Sequence, residues 1–99
     1  MTYTKAQTRA LEFAFRKGGA WFAPRSGAAG GAYRRCCLRL VDLGLLDERP
    51  PYNITAKGLA ALRDVYNRKW GDRGSMADLL NLEAADRALA EMAKEAQAA

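Results

Sequence analysis

The sequence predicts a small α+β domain, mainly helical, with a short two- or three-stranded sheet and an extra helix at the C-terminal end. Three observations predict it. Apolar residues recur at helical spacing in segments closed by glycines at 18–19, 44 and 71–74. Between Gly44 and Thr55 the pattern changes to Leu45-Leu46, a turn at Arg49-Pro50-Pro51, and a return through Tyr52-Asn53-Ile54. A further periodic segment follows residue 75.

The elements follow in order. Thr4 and Gln7 have the spacing of a capping box at the start of the first helix. Leu11, Ala14 and Phe15 share one of its faces, and Lys5, Arg9, Glu12 and Arg16 the other. Gly18-Gly19 stops it. Ala20-Trp21-Phe22 reads as a minimal strand, and Pro24 to Gly31 as a loop or broken helix. The next helix begins between Ala28 and Tyr33 and ends at Gly44. A step of about 100° per residue puts Tyr33, Cys37, Leu40 and Val41 inward and Arg35, Arg39 and Asp42 outward. After the hairpin, Thr55 is the expected N-cap of a helix reaching about Trp70, with Leu59, Leu62, Tyr66 and Trp70 as its apolar stripe. The reading is therefore a domain over residues 1–70, a linker at 71–74 and a C-terminal helix over 75–97. Ser75 and Asp78 have capping-box spacing at its start.

The chain has 99 residues, 49% of them hydrophobic, which fits one domain. Alanine inflates that fraction and adds little apolar area, so the core is expected to be small. No apolar run is long enough to cross a bilayer, and no export leader opens the chain, so a cytoplasmic protein is expected. Charge is unevenly placed. Residues 1–70 hold thirteen Lys/Arg against five Asp/Glu, and residues 71–99 hold three against six. A basic body suits a polyanion such as nucleic acid. With no histidine and no nucleophile–base–orienter set, an enzyme is not expected. Two cysteines without histidine cannot complete a tetrahedral metal site, and no cofactor is expected.

The runs Leu40-Val41-Asp42-Leu43-Gly44-Leu45-Leu46 and Tyr52-Asn53-Ile54-Thr55-Ala56-Lys57-Gly58-Leu59 resemble the winged helix-turn-helix DNA-binding family. They are similar to bacterial regulators of the MarR and PadR kind. The opening Thr4-Lys5-Ala6-Gln7-Thr8-Arg9-Ala10-Leu11 looks like the first helix of small winged-helix proteins of bacteria and phages. The resemblance covers roughly residues 4–66. It implies a winged fold, double-stranded DNA as partner, and the role of a small transcriptional regulator of the kind phages or mobile elements encode. The chain departs from the family in its glycine-rich gap, where the second helix is truncated or missing, and in a very short wing.

In the family, the recognition helix presents side chains to the major groove. That role falls on Arg34, Arg35 and Arg39, with Arg25 and Ser26 near the tip and Arg49 on the wing. Arginine suits it because its fork can bond guanine O6 and N7 together or hold a phosphate. The plainer reading is a solvated charged helix face. Cys36-Cys37 offers a redox switch or, more simply, core packing. Leu82, Ala85, Leu89 and Met92 form a seam on the last helix that either pairs two copies into a homodimer or folds back on Trp70 and the first helix. A second functional expectation comes from another class. The domain could be an interaction module that inhibits a host nucleic-acid-handling defence complex, with the acidic tail mimicking nucleic acid.

Overall fold

The computed structural model describes residues 3–19 and 28–98. Among them the fold is all-helical, with α1 (Lys5–Lys17), α2 (Ala28–Asp42), α3 (Ala56–Arg73) and α4 (Met76–Ala98) in chain order. The expected α+β class, with its winged helix-turn-helix sheet of two or three strands, is thus corrected. No strand or sheet forms among the described residues. The hairpin reduces to one antiparallel bridge, Leu46 with Ile54. A bond from the Asp47 N–H to the Asn53 carbonyl (2.8 Å) lies beside it.

The reason is length. Gly44, at φ 77°, takes the left-handed position that glycine fills without a Cβ penalty and ends α2. Thr55 already caps α3. The Tyr52 N–H donates to the Arg49 carbonyl at 2.8 Å, so residues 49–52 form the turn, with a cis Pro50–Pro51 peptide inside it. Too few residues remain on either side to extend a ladder.

Helix ends follow the chain's own capping groups. Thr4 Oγ1 accepts from the Gln7 N–H at 3.1 Å, and Gln7 Oε1 accepts from the Thr4 N–H at 3.0 Å. Gly18 closes α1 in the left-handed region, φ 78°. Ser75 Oγ accepts from the Asp78 N–H (3.2 Å) and donates to Asp78 Oδ2 (2.7 Å), opening α4. The expected linker at 71–74 shrinks to Gly74-Ser75. Helix α3 runs on through Gly71 and Asp72 to Arg73 and stops at Gly74, φ 63°, whose N–H bonds the Trp70 carbonyl. A single helical glycine costs only about 1 kcal/mol relative to alanine, too little to stop a helix packed along one face. The expected strand Ala20-Trp21-Phe22 lies outside the described residues.

The core draws on every element. Leu11, Leu40, Leu45, Leu46, Leu59 and Leu62 are almost fully buried, joined by Tyr66 and Cys37. Helix α4 folds back along α3, its most extensive neighbour, and sends Leu82 and Ala85 into the same cluster. Helix α1 packs on both α2 and α3. Its Arg16 Nη2 also donates to Asn81 Oδ1 of α4 at 3.1 Å. Between α3 and α4, Arg63 Nε donates to Asp86 Oδ1, which holds the guanidinium more firmly in its charged form. No helix among the described residues is long and apolar enough to cross a membrane.

Candidate nucleic-acid interface

The site is built on α2 and its junction with α3. Cys37 and Leu40 are buried, and Tyr33, Cys36 and Val41 are half-buried against the core. That leaves Arg34, Arg35, Leu38, Arg39 and Asp42 exposed on the other side. Leu38, 44% exposed, stands among the arginines as an apolar contact. The helical spacing places Tyr33, Cys37, Leu40 and Val41 inward and Arg35, Arg39 and Asp42 outward, and the burial of these seven residues agrees.

Arg34, Arg35 and Arg39 have no carboxylate oxygen within 4.0 Å among the described residues. Three other arginines among the described residues are paired. Arg16 meets Glu12 at 3.6 Å, Arg49 meets Asp47 at 3.8 Å, and Arg63 meets Asp64 and Asp86. Arg49 thus sits on the turn with an acidic neighbour, and the Asp47 carboxylate also accepts from its backbone N–H (3.0 Å). Its side chain is still 84% exposed, so that pair is weakly held. Arg25 and Ser26 lie outside the described residues.

The backbone under these arginines is fixed where α2 meets α3. Thr55 Oγ1 donates to the Gly44 carbonyl (2.7 Å) and accepts from the Gly58 N–H (3.0 Å). Lys57 Nζ donates to the Leu43 carbonyl at 3.0 Å, a cation at the carbonyl end of α2, where the helix dipole favours it. The Leu45 carbonyl accepts from the Thr55 N–H (3.1 Å). A Cβ on Gly58 would fall on that same carbonyl, so only glycine allows the approach. The Thr-x-x-Gly spacing thus has a steric and a capping cause in this chain.

Burial raises the pKa of both thiols, and at Cys37 it outweighs the lowering effect of a hydrogen bond from Tyr33. Raised values suit packing rather than a reactive thiolate. No group of three or more His, Cys, Asp or Glu among the described residues could hold a metal ion.

The seam drawn for a homodimer is largely occupied within its own chain. Leu82 and Ala85 are buried, and Leu89 and Met92 are half-buried against the core. Within the single chain the seam packs along α3, the helix that carries Trp70, and its main support is that helix rather than α1.

One cationic concentration escaped the sequence reading. Lys5 and Arg9 of α1 face Arg68, Lys69 and Arg73 of α3 across a groove. The spacings within each helix place these residues on one face. Nothing in either helix alone shows that the two faces meet.

Compared with protein-family models, curated proteins and solved structures, the chain matches none of the three.

Proposed function

We propose that this protein binds double-stranded DNA through the outward face of α2, as a small transcriptional regulator would. The supporting observation is the charge arrangement on that helix. Arg34, Arg35 and Arg39 are exposed along one short run of helix and carry no acidic partner among the described residues, whereas Arg16, Arg49 and Arg63 each meet a carboxylate. Unpaired guanidiniums along one helix face a polyanion at low desolvation cost and release its counterions on contact. Contacts to phosphate dominate in this reading. The hairpin that would widen the footprint is a single bridge, and Arg49 at its tip stands beside Asp47.

Fluorescence anisotropy with a labelled duplex tests this. Each phosphate neutralised contributes a slope of about −0.9 in log affinity against log salt. An Arg35→Ala/Arg39→Ala variant is expected to make the slope shallower by about 2 while keeping its helical signal. An unchanged slope would remove the assignment to α2. No measurable binding at about 50 mM salt would remove DNA as the partner.

A further inference from the structure

We infer that the groove between α1 and the C-terminal half of α3 is a second phosphate-binding surface, engaging the backbone of the same DNA. This rests on the DNA reading above and adds a place for it on a different face of the molecule.

Five cations line the groove: Lys5 and Arg9 from α1, and Arg68, Lys69 and Arg73 from α3. None of the five has a carboxylate oxygen within 4.0 Å among the described residues. Two carboxylates share the groove, Glu12 and Asp72. Glu12 is already engaged. Its Oε2 accepts from the Tyr66 hydroxyl at 3.1 Å and lies 3.6 Å from Arg16 Nη2. Asp72 alone is left to set against five positive charges. Like charges brought together across a concavity repel, and they raise the local concentration of anions.

Spacing narrows the ligand. Arg68 to Arg73 rises about 7.5 Å along α3. That spans about two phosphates of one B-DNA strand, which advance by about 3.4 Å each. Thr8 and Val65, also on the lining, carry no charge that would oppose a phosphate there. The groove is thus a track for a phosphodiester backbone with little means of reading bases. It supplies affinity and orientation.

The test compares the groove with α2 on the same duplex. An Arg68→Gln/Lys69→Gln/Arg73→Gln variant changes residues of which Arg68 and Arg73 are exposed and Lys69 half-exposed. If two phosphates are lost, the salt slope becomes shallower by about 2, and affinity near 0.1 M salt falls on the order of 100-fold. Asp72→Asn is the opposite perturbation and is expected to tighten binding several-fold. It removes a charge without removing a cation, so it carries the test should the triple variant fail to fold. Unchanged slope and affinity in the folded triple variant, with binding lost in Arg35→Ala/Arg39→Ala, would overturn the groove and leave the α2 reading standing. Loss in the groove variant alone would keep the groove and dismiss α2. Absence of DNA binding by the wild-type protein at about 50 mM salt would overturn both.

Discussion

Alanine at Gly58 and alanine at Gly71 place the same methyl group on the same helix with opposite expected consequences. At Gly71 a Cβ meets nothing within 4 Å. Removing backbone freedom there is expected to stabilise α3 by up to about 1 kcal/mol. At Gly58 the Cβ falls on the Leu45 carbonyl and stands 2.9 Å from Ile54 Cγ1. Neither can yield cheaply. The Leu45 carbonyl is held by the Thr55 N–H, and Leu45 and Ile54 are both buried. Forcing a methyl into a packed site costs about 1–3 kcal/mol. Displacing the Thr55–Leu45 bond adds about 1 kcal/mol, and the helix-propensity gain offsets up to about 1. The net expectation is a loss of about 2 kcal/mol, or a melting temperature lower by about 10 °C in a domain of this size. Urea unfolding followed by circular dichroism measures both variants, and the midpoint should shift while the slope stays fixed. A Gly58→Ala protein as stable as wild type would refute the close approach of α3 to Leu45 and the account of the Thr-x-x-Gly spacing with it.

Two further outcomes follow from the hydrogen bonds. Thr55→Ala removes the acceptor for the Gly58 N–H and the donor to the Gly44 carbonyl, and should cost about 1–2 kcal/mol by urea titration, whereas Thr55→Ser should restore most of it. Tyr66 is buried, and its pKa is raised first by that burial and then by the Glu12 carboxylate. The fold therefore favours the neutral phenol. That contribution is complete below the ordinary tyrosine value of about 10 and is lost as pH rises above it through the folded-state value. Alkaline titration at the tyrosinate absorbance should show the Tyr66 share of the signal lagging until the protein unfolds. Tyr66→Phe should abolish that lag and flatten the alkaline loss of stability. A variant with an unchanged alkaline profile would assign the loss to another group.

Signals carried by a few consecutive residues were legible in the sequence. Thr4 with Gln7, Gly18, Gly44, Thr55, and Ser75 with Asp78 mark helix ends where expected, because caps and left-handed stops depend on backbone geometry within one turn. The inward face of α2 was legible for a similar reason, since periodicity reports burial directly. The sheet was not. Leu45-Leu46 and Tyr52 to Ile54 have strand composition, but pairing depends on how much chain remains once Gly44 and Thr55 have taken their positions. Gly71 misled because a glycine inside a helix and a glycine after one look alike in sequence, and only packing along α3 separates them. The seam on α4 was visible, but whether its partner is α3 or another copy is a tertiary question. The α1–α3 groove is the same kind of problem: each cation is plain in the sequence, and their confrontation is not.

The junction of α2 with α3 has a consequence for recognition. Lys57 grips the end of α2, Thr55 bridges Gly44 to Gly58, and Leu45 closes against the helix start. The arginines of α2 therefore ride on a backbone already locked to the core before any partner arrives. In the proposed binding to DNA, the cost at these arginines is that of immobilising their side chains, about 0.5–1.5 kcal/mol each. The junction thus fixes the rail and leaves the guanidiniums to adjust along it, so in that proposal the fit to a polyanion is set by side-chain rotamers at the α2 face.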